Sequence, residues 1–281
     1  MAPKQKLKFA VFGNPVTHSL SPRIHRLFAE QCGLEVDYRA IEATTATFPT
    51  LVAELAASGG RGCNVTVPLK HEAWKLAARS SESAARAKAA NTLVFHDSGS
   101  WYADSTDGKG LVNHLETLPG CRLRGSRLCL VGAGGAVASV LGALLEAEPK
   151  IVFIANRTRE RADELVESHS GLGEMATGAL EDLDSLEPFD LIINATSLGH
   201  SGGAPALEEK WFGAGGLCYD MNYGDAAEPL RRLCRKHRIR YSDGLGMLVG
   251  QAALSFKLWT GLSPDPRAVL ASLRTPDETR G

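Results

Sequence analysis

A glycine-rich turn in the middle of the chain has the residue types that bind a phosphate. The apolar run Arg127–Val131 leads into Gly132-Ala-Gly-Gly-Ala136, and a helix-like run follows. Gly132 permits a tight turn and Gly134 lets the backbone approach a pyrophosphate, while the N-terminus of the helix offers unpaired N–H groups and a positive dipole end. The pattern is typical of a dinucleotide-binding βαβ unit. Packing alone also produces such turns, and Val137 stands where a third small residue is often found.

The next strand-like run ends in a cluster of cations. Ile151–Ala155 is followed by Asn156-Arg157-Thr158, with Arg159 and Arg161 close behind. An NAD enzyme would place an acidic residue at this point, on the ribose 2′-OH, whereas Asn and Arg suit a 2′-phosphate. Because cations oppose the dipole at a helix N-terminus, a bound anion explains the cluster better than a basic helix start does. The sequence therefore predicts NADP rather than NAD.

Two residues outside this region could move a proton. Lys70 ends the run Asn64-Val-Thr-Val-Pro-Leu-Lys, a strand that Pro68 stops, and Asp107 lies in Asp104-Ser-Thr-Asp-Gly108. Taken singly, Lys70 would be an exposed lysine and Asp107 a turn residue or helix cap. Together, a lysine and a carboxylate beside a carbonyl group could donate and accept a proton during hydride transfer.

The elements that must position these groups alternate between strand and helix patterns. Strands are predicted at 9–12, 36–41, 62–67, 127–131, 150–155, 191–194, 216–220 and 239–241, and a hairpin joins 91–95 to 100–103 across His96–Gly99. Helices are predicted near 47–57, 135–147, 159–168, 226–237, 247–259 and 266–273, and two more begin at Gly108 and near Ser21. In the last of these, Ser21 and Pro22 are predicted as the N-cap and N1 residues, and Gly33 as the C′ residue. This alternation indicates an α/β fold with a parallel sheet.

Length and composition restrict the function classes. The 281 residues have room for two modest domains, which we expect at 1–107, completed by helices in 245–281, and at 108–244. A net charge of −1 gives no electrostatic case for nucleic acid or an anionic membrane. No apolar run approaches the roughly 20 residues of a membrane span, and the basic N-terminus leads straight into a strand-length run rather than a signal peptide.

The cysteines and histidines carry no recognisable metal motif. The six cysteines form no Cys-x-x-Cys pair, and the eight histidines are scattered without metal-ligand spacing. Disulfides are not expected in a chain of this size with no secretory signal. We therefore predict a cytoplasmic protein without a metal site, acting on a small molecule as a monomer or homodimer.

Five segments follow one another along the chain in a specific order. They are Val11-Phe-Gly-Asn-Pro15 with His18-Ser-Leu-Ser-Pro22, Asn64–Lys70, Asn91-Thr92 with Ser105-Thr-Asp-Gly108, Gly132–Ala136 with Asn156-Arg-Thr158, and Asp243-Gly-Leu-Gly-Met-Leu-Val249 with Gln251-Ala252. Together they resemble the shikimate dehydrogenase family over essentially the whole chain. The resemblance implies two α/β domains, an N-terminal substrate domain and a Rossmann-like NADP-binding domain with a mostly parallel sheet. It also implies NADPH-dependent, reversible reduction of 3-dehydroshikimate to shikimate, on the route to aromatic amino acids.

The resemblance also implies a role for individual residues. It assigns the substrate carboxylate to Ser19 and Ser21, the ring hydroxyls to Thr66, Asn91 and Gln251, a further substrate contact to Tyr223, and catalysis to Lys70 and Asp107. It assigns NADP to Gly132, Ala133, Gly134, Gly135, Ala136, Asn156, Arg157, Thr158 and Arg161, with Met221 and Gly244 flanking the nicotinamide. The residue types suit this independently, since Ser, Thr, Asn and Gln bond hydroxyl groups and a lysine ammonium can stabilise a developing alkoxide.

Four positions, in three places along the chain, depart from the family pattern. Ser105 stands where Asn is more usual, and could loosen the turn that presents Asp107. Lys88 and Ala90 replace Gly and Val in the segment before Asn91, and Asn222 occupies a commonly apolar position beside the nicotinamide contact. None removes a catalytic group, so we interpret them as adjustments of rate and substrate range.

Three alternative functions stay open at the level of sequence. A quinate/shikimate dehydrogenase-like paralogue would use NAD or a wider set of substrates, against which Arg157 and the missing acidic residue argue. A non-catalytic NADP-binding sensor would not require Lys70 and Asp107 together. A structural α/β scaffold with an empty glycine turn would leave the cluster Asn156–Arg161 unexplained.

Overall fold

The computed structural model describes residues 6–96 and 99–274. It separates into two compact units, one formed by the residues up to Gly110 together with those from Val249 onward, and the other by Leu111–Leu248. These bounds lie a few residues beyond those expected from the sequence. Residues 275–281 of the expected C-terminal part lie outside the described residues.

The strands and helices alternate along most of the chain. The strands are β1 Leu7–Gly13, β2 Val36–Glu42, β3 Gly60–Val65, β4 Arg79–Ser80, β5 Thr92–Phe95, β6 Trp101–Asp104, β7 Arg127–Val131, β8 Ile151–Ala155, β9 Met175–Gly178, β10 Phe189–Asn194, β11 Phe212–Asp220 and β12 Arg240–Ser242. The helices are α1 Ser21–Gln31, α2 Phe48–Ala57, α3 Lys70–Leu76, α4 Glu82–Ala87, α5 Asp107–Leu115, α6 Gly135–Glu146, α7 Arg159–Ser168, α8 Glu228–Lys236, α9 Leu245–Thr260 and α10 Pro266–Leu273. Short 3₁₀ turns cover residues 181–185, 198–201, 209–211 and 224–227.

The first unit is built on a six-stranded mixed sheet in the order β2-β1-β3-β5-β6-β4. Strand β1 pairs in parallel with β2 and β3, whereas β5 pairs antiparallel with β3 and β6. The sequence of β1 is almost continuously apolar because helices cover both of its faces. On one face Phe9 stacks on Trp259 of α9, with 4.6 Å between ring centroids, and on the other Phe12 packs against Phe48 of α2.

The second unit is built on a six-stranded sheet in the order β12-β11-β10-β7-β8-β9, with every pairing parallel. Alternate residues of each strand enter two different cores: Leu128 and Leu130 pack on one face of the sheet, and Cys129 and Val131 on the other. The chain order reverses between β7 and β10. In sheets of this type the ligand binds at such a reversal, at the carboxyl ends of the strands.

The structure corrects several local predictions. Ser21 is the first helical residue of α1 rather than its N-cap, and Leu20 caps the helix without a side-chain hydrogen bond. Strand β3 ends at Val65, before Pro68, because the chain already turns at Thr66, whose carbonyl accepts from Leu69 N–H. The short elements β4, β9, α3 and α4 were not predicted, since two to seven residues carry too little periodicity.

Other local predictions are confirmed. Gly33 follows the C-cap of α1 with a φ of +65°. The hairpin strands pair antiparallel as β5 and β6, although residues 97 and 98 of their predicted turn lie outside the described residues. Among the residues that the structure describes, no helix is long and apolar enough to cross a membrane.

Candidate active site

The structure of the first unit brings Lys70 and Asp107 into direct contact. The Lys70 Nζ atom donates to Asp107 Oδ2 over 2.6 Å, and the two side chains are 21% and 9% exposed. Each residue is the first of its helix, Lys70 of α3 and Asp107 of α5. The Lys70 carbonyl also accepts from Ala90 N–H, which ties the start of α3 to the segment that enters β5. This is the ion pair that the sequence predicts.

The second carboxylate oxygen of Asp107 is bound by Asn91. The Asn91 Nδ2 group donates to Asp107 Oδ1 over 2.8 Å and to Gln251 Oε1 over 3.0 Å. On the other side of the amide, Asn91 Oδ1 accepts from Thr106 N–H over 2.9 Å. A backbone N–H can only donate and a carboxylate only accepts, so these two neighbours fix the orientation of the amide. Three predicted site residues, Asn91, Asp107 and Gln251, therefore form one connected group.

Ser19 and Ser21 lie together at the N-terminus of α1. The Ser21 N–H donates to Ser19 Oγ over 3.2 Å, and the first turn of the helix contains no acidic residue. Because no acidic side chain of the first turn balances the positive end of the helix dipole, this end favours a bound anion. The two hydroxyls and this helix end suit a carboxylate.

Thr66 lies beside the loop that leads to these serines. Its N–H donates to Phe12 O over 2.8 Å, and Asn14 N–H donates to Val67 O over 3.0 Å, so the ends of β1 and β3 are fastened together. A Cβ atom on Gly13 would lie 2.4 Å from Thr66 Cγ2, so only glycine fits at this crossing. The loops that carry the predicted carboxylate and hydroxyl contacts therefore leave the same edge of the sheet.

A buried polar group below these loops was not predicted as part of the site. Asn64 Oδ1 accepts from Tyr38 Oη over 2.7 Å and faces His25 Nε2 at 3.1 Å. Asn64 Nδ2 donates to the Asn91 carbonyl over 3.1 Å, which fixes the orientation of the Asn64 amide and makes His25 Nε2 the donor. Burial lowers the pKa of His25 to about 3, so the imidazole is neutral. The only signal in the sequence was a polar Asn64 among apolar neighbours.

In the second unit, the glycine turn joins β7 to α6 at the reversal of the sheet. Gly132 has a φ of +115°, a conformation that favours glycine, and a Cβ atom there would lie 3.4 Å from the backbone of Ala195 after β10. Gly134 is the N-cap of α6, and among the described residues no atom from outside this turn and its helix lies within 4 Å of the Cβ position of Gly134 or Gly135. With no side-chain cap and no acidic residue in its first turn, α6 leaves its N–H groups open to a phosphate. The predicted turn therefore fits a dinucleotide.

The predicted 2′-phosphate residues lie next to this turn. Gly132 N–H donates to Ala155 O over 2.8 Å, and Asn156 follows directly, with its Nδ2 group donating to Thr158 O over 2.7 Å. Arg157 and Arg161 are exposed.

Met221 and Gly244 are brought together at the carboxyl ends of β11 and β12. A Cβ atom on Gly244 would lie 2.3 Å from Met221 O, so the contact requires glycine. Asp220, fully buried, accepts from Asn194 Nδ2 over 2.9 Å and from Asn222 N–H over 3.0 Å, and burial raises the pKa of its carboxyl. Tyr223 follows Asn222 directly in the chain and is half-buried.

The structure shows how the chain accommodates Lys88, Ser105 and Asn222, three of the residues that depart from the family pattern. Lys88 ends α4 with a φ of +47°, a left-handed conformation that suits the usual glycine and costs a lysine roughly 1 kcal/mol. Ser105 is buried, and its N–H donates to Asp104 Oδ1 over 2.8 Å, so the turn before Asp107 is held without an asparagine. Asn222 uses its polar side chain to donate to Asp220 Oδ1 and Thr196 O, over 2.9 and 3.0 Å.

Comparison with known proteins places this chain in a family. Residues 11–93 match the model of the shikimate dehydrogenase substrate binding domain, residues 115–201 that of shikimate / quinate 5-dehydrogenase, and residues 244–274 that of the shikimate 5'-dehydrogenase C-terminal domain. The chain belongs to the shikimate dehydrogenase family. The resemblance of the five sequence segments and the expected α/β fold with mostly parallel sheets are thereby confirmed.

Individual relatives match the chain almost from end to end. The shikimate dehydrogenase (NADP(+)) of Chromohalobacter salexigens is 48% identical over 95% of this chain and 97% of its own, and that of Alkalilimnicola ehrlichii is 45% identical over 95% and 98%. The crystal structure of shikimate 5-dehydrogenase from Thermus thermophilus in complex with NADP(H) and shikimate is 34% identical, with a TM-score of 0.80 over 95% of this chain and 98% of that one.

The buried side chain of His25 makes the stability of the protein depend on pH. Its pKa is about 3 in the folded protein and 6.5 in the unfolded chain, so on acidification the unfolded chain binds this proton first and the free energy of unfolding falls. The slope approaches about 1.4 kcal/mol per pH unit within that window. We expect wild-type protein to lose about 2.5 kcal/mol more than a His25→Gln variant when urea unfolding is compared at pH 7 and pH 4.5. An equal loss in both proteins would contradict this assignment.

Proposed function

We propose that this protein catalyses the NADP-dependent, reversible reduction of 3-dehydroshikimate to shikimate, a step toward the aromatic amino acids. The observation that carries the proposal is the 2.6 Å contact between Lys70 Nζ and Asp107 Oδ2, inside a group of amide and hydroxyl side chains. The names of the relatives, shikimate dehydrogenase (NADP(+)), support the same reaction.

The proposed substrate matches the polar groups of the first unit. Its carboxylate would lie against Ser19 and Ser21 at the N-terminus of α1, where the dipole favours an anion. Its ring hydroxyls would bond Thr66, Asn91 and Gln251. Because such a site leaves buried polar groups unpaired when a hydroxyl is missing, it would reject deoxygenated analogues strongly. Tyr223, in the second unit, is the further substrate contact we propose.

Lys70 is the proton donor in this proposal. When bound, NADPH supplies the hydride that the carbonyl carbon of 3-dehydroshikimate accepts. The ammonium of Lys70 stabilises the negative charge that develops on the carbonyl oxygen and then gives that oxygen a proton, leaving a neutral amine that solvent reprotonates. Asp107 holds the ammonium by one oxygen and is itself held by Asn91. In the oxidation direction the neutral amine takes the hydroxyl proton of shikimate.

The second unit supports NADP as the cofactor. The open N-terminus of α6 suits the pyrophosphate, and Gly132–Ala136 form the turn that would hold it. Asn156, Arg157, Thr158 and Arg161 would bind the 2′-phosphate, and Met221 and Gly244 would flank the nicotinamide. We further infer a cytoplasmic location, since the six cysteines are free thiols, and we propose that the protein acts as a monomer or homodimer.

A spectrophotometric assay tests the reaction. The protein is incubated with shikimate and either NADP or NAD, and the absorbance of the reduced cofactor is followed. Turnover with NADP is expected, and its absence would refute the proposal and favour an NADP-binding sensor. Comparable turnover with NAD and quinate would show the broader quinate/shikimate paralogue instead.

Removal of the Lys70 ammonium should slow the chemical step. We expect Lys70→Ala to lower kcat by about 10³-fold while KM for shikimate changes only a few-fold, because the ammonium acts most strongly on the transition state. Lys75→Ala is the matched control, since Lys75 lies on the same helix but pairs with Glu72 at 3.3 Å on the surface. A loss that falls on KM alone would mean that Lys70 only binds substrate.

Removal of the Arg157 guanidinium should weaken NADP selectively. Loss of a charge-assisted bond to the 2′-phosphate should raise KM for NADP about ten-fold or more and leave KM for NAD unchanged. Arg124→Ala, which removes an exposed arginine paired with Glu148, serves as the control. An unchanged preference for NADP over NAD in Arg157→Ala would refute the phosphate contact.

A further inference from the structure

Ser255 of helix α9 lies at the centre of the polar group beneath the catalytic pair. Its side chain is fully buried, and its Oγ atom is 3.0 Å from Asn64 Nδ2, 2.7 Å from Thr92 Oγ1 and 3.3 Å from Thr106 Oγ1. It also lies 3.1 Å from the Gln251 carbonyl, one turn earlier in the helix. Four polar groups from four segments of the first unit thus converge on one hydroxyl.

Among the arrangements of protons that satisfy these contacts, two show how Ser255 bonds Thr92. In one, Ser255 donates to the Gln251 carbonyl and accepts from Thr92. In the other, Ser255 donates to Thr92, whose own proton goes to Asn91 Oδ1 at 3.1 Å, while Thr106 donates to the Gln251 carbonyl at 3.1 Å. Asn64 Nδ2 can only donate, so Ser255 accepts from it in both arrangements. In each case Ser255 is the hydroxyl partner of Thr92.

Thr92 and Thr106 are the neighbours that hold the Asn91 amide. Thr92 Oγ1 lies 3.1 Å from Asn91 Oδ1, and Thr106 Oγ1 lies 3.2 Å from the same oxygen and 2.9 Å from Asn91 Nδ2. The same Nδ2 group donates to Asp107 Oδ1, and Asp107 Oδ2 holds Lys70. A path of short contacts therefore runs from Ser255 through the two threonines and Asn91 to the catalytic pair.

We propose that Ser255 is a positioning residue of the catalytic pair: its hydroxyl bonds Thr92 and thereby helps to hold the Asn91 amide in the orientation that aims it at Asp107. This inference rests on the proposed function, because it assigns the pair a catalytic role. A serine in a helix interior gains nothing in helix propensity over alanine, and the Ser255 hydroxyl is fully desolvated. Its bonds to groups outside its own helix are what the side chain contributes.

Kinetics of Ser255→Ala test the proposal. The variant removes the hydroxyl and favours the helix, so Asn91 should sample orientations that leave Asp107 with one partner fewer. We expect kcat for shikimate oxidation to fall about ten-fold, since small displacements of reacting groups slow catalysis strongly, while KM for NADP stays within two-fold of wild type. Thr260→Ala is the control: Thr260 makes the same kind of bond one turn back in α9, to Phe256 O over 2.8 Å, but contacts none of these groups.

A double variant tests whether Ser255 acts on Asn91 through Thr92. Thr92→Val removes the hydroxyl between Ser255 and Asn91 with little change of shape. If Ser255 acts through Thr92, the double variant should be about as slow as the slower single variant, whereas independent effects would multiply. Multiplying effects would overturn the proposed path. Ser255→Cys, which fills the site with a slightly larger side chain but bonds weakly, should reproduce the kinetic loss even if the alanine variant folds poorly.

A second readout does not depend on activity. In ligand-free protein the exchange of the Asn91 side-chain amide protons with solvent is measured by NMR, with Asn91→Asp used only to assign the signal. We expect exchange to be at least ten-fold faster in Ser255→Ala than in wild type or Thr260→Ala. Exchange equal to wild type, or kcat within two-fold of wild type, would overturn the positioning role. If wild-type protein does not turn over shikimate, the proposed function fails, and the exchange measurement alone decides whether Ser255 orders the amide.

Discussion

The arrangement of the first unit depends on a carboxylate that is almost removed from water. Asp107 has both oxygens bound, Oδ2 by the Lys70 ammonium and Oδ1 by the Asn91 amide. Losing either partner would leave a buried charge undercompensated, which is costly. The amide in turn keeps its orientation because Thr106 N–H donates to its oxygen. The start of α5, the end of β6 and helix α9 therefore all serve to hold one ion pair in one geometry.

The second unit meets a different constraint with backbone groups. The end that we propose for phosphate binding consists of N–H groups at the start of α6 that no side chain caps, and it follows Gly132, whose backbone conformation few other residues adopt. Hydrogen bonds from Asn194 and Asn222 to the Asp220 carboxylate connect the end of β10 to the end of β11, and Met221 is the next residue after β11. One unit thus offers fixed side chains and the other offers an open helix end, as the proposed substrate and cofactor require.

The sequence predicted the parts of this architecture that have a local signature. The glycine turn and the regular strand–helix alternation around it follow from residue type and periodicity, and the pairing of Lys70 with Asp107 follows from their residue types together with the family resemblance. The predicted N-cap of α1 lies one residue too late because Ser-Pro is a common N-cap pattern, and Leu20 gives no signal of its own. Ser255 and His25 could not be recognised, because their partners lie up to 191 residues away and helix periodicity alone makes them core residues.

A double-mutant cycle on the ion pair tests the central claim most directly. The kcat for shikimate oxidation with NADP is measured for wild type, Lys70→Met, Asp107→Asn and the double variant. If the two residues act as one unit, each single variant loses most of the rate and the double variant is about as slow as the slower single one. Losses that multiply in the double variant would show that Lys70 and Asp107 act independently, and would contradict the role of the ion pair as a single catalytic unit.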